Sequence, residues 1–344
     1  FLLFAGANSP WLHSAALTFI SFSLLGFCEA MYWPASHAMV ADVVPEKHRN
    51  AVFAVFYTSI NISVVIGPII GGLFFFHYRF PLLVVCIAVS AMLATIIKLY
   101  ISETAPARKK QTSRAGKKWY RYLADQLSDY RVIVEDKIFL LFVVAGILVA
   151  QTFMQLDLLM AVYSTEKIPE QTLFAIGNWN LDVTGEKAFS WLVAENGFLV
   201  AVFTVFMTRW MGKYRERNVF VVSALLYGLG ILLFGNTVNL WVLFLIMAVF
   251  TAAELMVVGI QEGFVSKLAP EHMRGQYFAA SSLRFTIGRS IAPISIPMTV
   301  WFGYSWTFVI LCLCAVASAA LYFMMFNWID KKQSVENQKT AVVR

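Results

Sequence analysis

The sequence predicts an all-α membrane protein built from two similar helical halves, and three observations carry that prediction. Hydrophobic residues make up 59% of the chain and charged residues only 14%, against about 25% charged in an ordinary soluble domain. Apolar stretches long enough to cross a bilayer follow one another with short breaks. The sequence also repeats itself after a shift of 225 positions.

A bilayer core near 30 Å requires about 20 apolar residues per helical crossing. Stretches of that kind fall near 13–41, 51–76, 81–101, 138–163, 189–211, 219–235, 241–266, 275–300 and 306–328, after a stub at 1–7. Nine full spans and a stub are therefore expected. Basic residues orient them. With the turn at 8–12 placed outside, 22 of the 27 Lys and Arg fall inside, and only Arg79, Lys167 and Lys187 fall outside. The net charge of +7 is thus mainly a topology signal, and nucleic acid is not an expected partner. The basic segment 102–137 reads as a cytoplasmic linker between a half at 1–101 and a half at 138–329, its stretch 107–131 ending in a surface helix. The outer loop 166–189 is long and acidic, a tolerated insertion or a cap, and 330–344 reads as a disordered cytoplasmic tail. Cys28, Cys86, Cys312 and Cys314 all lie in apolar stretches, which suggests neither disulfides nor a metal cluster.

The repeat lays 29–55 over 254–280 without a gap, and 29–68 shares 11 identities in 40 positions with its partner. Glu29 meets Glu254, Arg49 meets Arg274, Phe53 meets Phe278 and Pro68 meets Pro293. Each copy carries a P-E-x-x-R turn. A shared intramembrane Glu and a shared polar turn do not arise from oily composition alone. Both copies run in the same direction through the membrane.

A parallel repeat of helical halves joined by a basic cytoplasmic loop resembles the major facilitator superfamily. The stretch "SVVIGPIIGG" (63–72) is similar to that family's helix-5 motif, G-x-x-x-G-P-x-x-G-G, which is associated with proton-coupled drug exporters. "RWMGKYRER" (209–217) resembles a degenerate copy of the loop motif between paired helices, so Gly212 and Arg215 join Asp42, Arg49 and Arg274 as an expected cytoplasmic gate. "TFMQLDLLMAVYS" (152–164), "GEKAFSWLVAENGFL" (185–199) and the "AELMVVGIQ" region resemble the drug:proton antiporter branch, of the LmrP type. The resemblance implies a major facilitator-type two-half bundle of twelve helices, with helices 4 to 12 and the end of helix 3 present. Roughly 60 to 90 residues are expected upstream. It also implies that Asp157 and Glu254 serve proton coupling and cation recognition. Phe22 and Phe56 depart from the pattern, standing where relatives have a helix-4 arginine and a helix-5 aspartate.

The helix-5 stretch has a physical reading of its own. Ser63, Gly67 and Gly71 recur every four residues and form a groove that lets two backbones approach. Pro68 removes a helical hydrogen bond and bends the helix. With Gly72 beside them and Pro293 in the other half, these residues read either as a pliable contact between helices near the outer side or as a fixed close-packing site.

Glu29, Asp157, Glu195, Glu254, Arg284 and Arg289 lie within spans. At about 2.5–3.5 kcal/mol each at helix centre, six such charges facing lipid would cost on the order of 15–20 kcal/mol. They are expected to face the interior or a water-filled cavity. Burial disfavours the charged form of a carboxyl, as a proton carrier requires. Glu254, Val258, Gln261 and Glu262 share a helix face, as do Glu29, Trp33, Ser36 and His37. Glu262 and His37 thus stand two turns from their glutamates, in position for a relay or, for the histidine, for simple packing. Arg284 and Arg289 pair with Glu254 or Glu195, or receive an anionic headgroup or substrate. Trp33, Tyr57, Gln261 and Phe285 are expected to line the cavity with Arg284, Arg289 and Glu195.

No G-x-S-x-G, Walker or metal-spacing motif occurs, so an enzyme is not expected. The sequence therefore predicts a cofactor-free, monomeric, proton-coupled exporter of lipophilic compounds in the bacterial plasma membrane. The competing expectations are a flippase or exporter of lipid-like or anionic metabolites, and a packed bundle without transport. Glu254→Gln is expected to abolish proton-coupled movement in liposomes while leaving a folded, inserted protein. Wild-type coupling in that variant would contradict the assignment.

Overall fold

The computed structural model describes residues 1–100, 135–176 and 179–342. Its helices are α1 (Leu2–Ala7), α2 (Ala15–Val43), α3 (Glu46–Tyr100), α4 (Lys137–Phe153), α5 (Leu159–Lys167), α6 (Gly185–Met211), α7 (Glu216–Phe234), α8 (Leu240–Leu268), α9 (Arg274–Ile291) and α10 (Ser295–Val342). Two small antiparallel hairpins join them, β1 (Asn8–Ser9) with β2 (Leu12–His13) and β3 (Gln171–Ile176) with β4 (Trp179–Val183). Side-chain caps mark several starts. The Ser14 hydroxyl accepts from Leu17 N at 3.3 Å, Asp136 accepts from Ile138 N and Phe139 N at 3.1 Å, and Asn239 accepts from Val242 N at 3.2 Å.

Among the described residues, seven segments are long and apolar enough to cross a membrane, so the expected count of nine is not met. The spans expected at 275–300 and 306–328 fall within one segment, 271–334, which turns at Gly303. The glycine adopts φ +77° there, a backbone conformation that side chains resist. The span expected at 51–76 belongs to the first part of α3, of which only 78–100 meets the criteria. Helix α3 breaks at Tyr78 (φ −126°, ψ 35°), and its backbone stays helical through Pro68. The tail expected to be disordered continues α10 to Val342. The surface helix expected in 107–131 lies outside the described residues.

The core sits in the C-terminal half, where 61% of the most apolar window of α8 is buried, against 6% for α2. Aromatic residues fill its lower layer, with Phe142, Phe220, Phe264 and Tyr322 in mutual ring contact. Phe250, Phe234 and Phe308 occupy a second cluster towards the other end. The hairpin β3–β4 docks on the turn before α8, through Gln171 donating to Val238 O at 2.5 Å and a Phe174–Trp241 edge contact at 5.3 Å.

The two halves are tied together around the repeated turn. Arg274 donates to Asp42, and its repeat counterpart Arg49 donates to Ser266 Oγ at 3.0 Å. Each P-E-x-x-R arginine therefore reaches across to the end of the other half's helix. Lys267 adds ion pairs to Glu216 at 2.7 Å and Glu46 at 3.7 Å. The equivalent residues Phe53 and Phe278 meet each other at 6.0 Å, as expected of side chains beside a pseudo-twofold axis. A Cβ added to Gly263 would fall on the Asn50 amide oxygen, and one at Gly259 would meet Asn50 O at 2.9 Å. The close approach therefore uses Gly259 and Gly263, spaced i,i+4 on α8. Gly67 has open space where a Cβ would stand, and Ser63 is exposed with its hydroxyl on Ser59 O. The helix-5 groove is unfilled at those positions; the side-chain positions at Pro68, Gly71 and Gly72 lie outside the described ones.

Gly263→Val is expected to force the halves apart at this end. In a background with the four cysteines replaced by serine, it should raise labelling of Ser266→Cys by a membrane-impermeant thiol reagent. Unchanged labelling would contradict the packing.

Candidate functional site

Glu254 is placed by the middle of α8, only 4% exposed. Tyr57, from α3 in the other half, donates its hydroxyl to one carboxylate oxygen. Asn196, from α6, donates to the other at 3.1 Å and to Thr251 Oγ1 at 3.0 Å. Thr251 in turn donates to Met247 O at 2.8 Å. Three helices from both halves thus converge on one carboxylate. Two donors leave part of its acceptor capacity open. That side faces a cavity of about 110 Å³ lined by Tyr57, Tyr227, Gln261, Arg284, Phe285 and Tyr322 among others.

Asp157 stands between α4 and α5, where the helix is interrupted by the 3-10 turn Met154–Leu156 and by Leu158 (φ −118°, ψ −90°). Asp157 is exposed. The carbonyl end of α4 points the negative end of its dipole at the same place.

Arg284 occupies the other wall of the cavity and is 2% exposed. It donates to Ser281 O at 2.9 Å and Ser281 Oγ at 2.7 Å, pairs with Glu262 at 3.4 Å, and lies over the Phe142 ring at 4.3 Å. Gly146 supplies the room, because a Cβ there would fall on the arginine stem. Arg284 therefore pairs with Glu262 rather than with Glu254 or Glu195. Glu262 is held as its counter-ion, which separates it from the expected relay face of Glu254, Val258 and Gln261.

The remaining expected residues divide clearly. Asp42, Arg49 and Arg274 come together at the join, while Gly212 and Arg215 line an adjoining polar cavity of about 600 Å³ with Asn50, Lys267 and Asp330. His37 is buried, bonded to Trp33 O at 2.9 Å and packed against Trp33, Phe53 and Phe278. These contacts make it a packing residue. Glu29 and Arg289 are exposed, and Arg289 lies one turn from Phe285, which is exposed and lines the cavity. Trp33 is 39% exposed and stacks on His37 away from the cavity lining. Glu195 is half-buried, and its Oε2 is buried without a hydrogen-bond partner. Pro293 sits in the 3-10 turn Ala292–Ile294 that separates α9 from α10. Asn196, Thr251, Ser281 and Gly146 were not expected. Their signal is uncharged polarity, or a missing side chain, inside an oily helix.

The Major Facilitator Superfamily profile matches residues 1–179 and 171–342. Among curated proteins, the chain is 55% identical over 334 residues to a "Na(+), Li(+), K(+)/H(+) antiporter" of Planococcus maritimus, covering 96% of this chain and 79% of that one. It is 24% identical over 294 residues to the multidrug resistance protein MdtH of Salmonella typhimurium, covering 84% of this chain and 64% of that one. Among solved structures, the human organic anion transporter MFSD10 superposes with a TM-score of 0.67 at 18% identity, over 93% of this chain and 75% of that one. That likeness concerns the fold. With its matched profile, its apolar helices and its two joined halves, the chain belongs to the Major Facilitator Superfamily and is a multi-pass membrane transporter of the secondary type.

Proposed function

We propose that the protein exchanges protons for small monovalent cations across the bacterial plasma membrane, with Glu254 and Asp157 as the carboxylates that carry one or the other. The observation that carries this reading is the environment of Glu254. A carboxylate buried between the two halves, surrounded by hydroxyl and amide groups, opens on about 110 Å³. Drug-sized ligands occupy pockets of about 300–1,000 Å³, whereas this volume suits a partly hydrated alkali ion. Interrupted membrane helices present helix ends and unwound carbonyls to such ions, and Asp157 occupies an interruption of that kind. The 55% identity to a chain named as a sodium, lithium and potassium antiporter supports the same reading.

Exchange follows from charge balance. A carboxylate buried as Glu254 is does not readily stay ionised without a counter-charge. A proton and a metal cation are alternative ways of supplying it. Occupation by either permits the halves to rearrange. The bare site holds them, with the end at residues 42–50 and 266–274, the cytoplasmic end by the basic-residue rule, closed.

A second reading, proton-driven export of lipophilic cations, is supported by the likeness to MdtH and by the helix-5 motif at 63–72. It requires the 110 Å³ cavity to widen several-fold in another access state.

The test uses the protein in liposomes with an imposed pH gradient. Added Na+, Li+ or K+ is expected to collapse the gradient for wild type and not for Glu254→Gln or Asp157→Asn, while choline chloride has no effect. Gradient-driven movement of a lipophilic cation dye, with no response to alkali cations, would replace this reading by the second.

A further inference from the structure

Two membrane helices of the C-terminal half are interrupted, and one side chain ties the interruptions together. The first lies at 154–158 between α4 and α5 and carries Asp157; the second is the turn Ala292–Ile294 between α9 and α10. Gln155 is fully buried in the first. Its Nε2 donates to Gln151 O at 3.1 Å and, across the gap, to Ala292 O at 3.2 Å. Its Oε1 accepts from Ser295 Oγ at 2.7 Å, and Ser295 is itself 1% exposed. Both ends of the amide are engaged, and Ala292 O receives the Gln155 amide in addition to the Ser295 N–H.

The packing beneath makes this bridge rigid. A Cβ on Gly288 would stand 2.8 Å from Ala150 Cβ, so α4 and α9 already touch backbone to backbone one turn away. The segment bearing Asp157 is therefore held to α9 by close packing and, across the gap, by two hydrogen bonds, to Ala292 and from Ser295.

We propose that Gln155 is a positioning residue for cation exchange: by stapling the two interruptions together it fixes Asp157 and so sets which alkali cation the site prefers. The inference rests on the proposed exchange of protons for monovalent cations. Alkali cations carry the same charge and differ in size and hydration. Discrimination among cations of one charge depends on cavity size and on how firmly the oxygen ligands are held. A carboxylate on a loose turn adapts to each ion, whereas one on a stapled turn favours one of them. The side chain of Gln155 touches no ion in this account.

The experiment measures, in liposomes, the maximal rate and apparent KM of proton movement driven by Na+, Li+ and K+ for wild type, Gln155→Leu and Ser295→Ala. Gln155→Leu removes all three bonds with little change in volume; Ser295→Ala removes one. The three KM values are expected to converge in Gln155→Leu, and partly in Ser295→Ala, with the maximal rate retained in both. A merely structural role would lower the rate for all three ions alike and leave the KM ratios at their wild-type values, and that result overturns the proposal. If Gln155→Leu fails to assemble, the ratios in Ser295→Ala decide by the same criterion. A wild type that discriminates among cations while both variants keep its ratios refutes the positioning role alone. A wild type with no response to any alkali cation removes the exchange reading and this inference with it.

Discussion

An ionised carboxylate in the middle of a membrane has to be answered by a proton, a cation or a set of donors. Glu254 receives donors from two sides that belong to different rigid bodies. Asn196 is on its own half, and Tyr57 is on the other. The state of this one group therefore bears on whether the halves stay together at mid-depth. A proton on Glu254 or a cation beside it changes what Tyr57 meets. In the proposed exchange, the contact between the halves and the group that binds the cargo are the same.

The closed end of the molecule is built differently. Arg49 and Arg274 occupy equivalent positions in the repeat and make equivalent crossings, but their acceptors differ, Ser266 for one and Asp42 for the other. One crossing is thus neutral at its acceptor and the other is an ion pair that is only partly exposed. For an ion pair this buried, the cost of desolvating both charges offsets much of their attraction, so the join also leans on shape. Gly259 and Gly263 let Asn50 seat against α8, and Phe53 and Phe278 fill the axis between them.

Much of this was legible in the sequence because membranes impose coarse rules. The membrane-spanning character followed from apolar length, though not the number of spans, and the crossing arginines were visible as the repeated P-E-x-x-R turn. Glu254 stood out because charge is rare in oily helices. Other features were illegible for identifiable reasons. Small residues spaced by four define a groove without saying which helix enters it; Gly259 and Gly263 had the same spacing as Ser63 and Gly67, and only the first pair is filled. An uncharged polar residue such as Asn196 or Gln155 looks alike whether it bonds its own backbone or a neighbouring helix. His37 carried a titratable ring that the fold uses for stacking. Arg284 chose Glu262 over Glu254 because Gly146 and Phe142 shape its bed, a three-dimensional arrangement with no linear signature.

The central claim is that a proton and an alkali cation compete for Glu254. Its most direct test is proton release from the purified, weakly buffered protein on addition of Na+ or Li+, followed with a pH indicator and compared with choline at equal ionic strength. The account predicts release from wild type that is lost in Glu254→Gln. Undiminished release from Glu254→Gln, or none from a folded wild type, would contradict it.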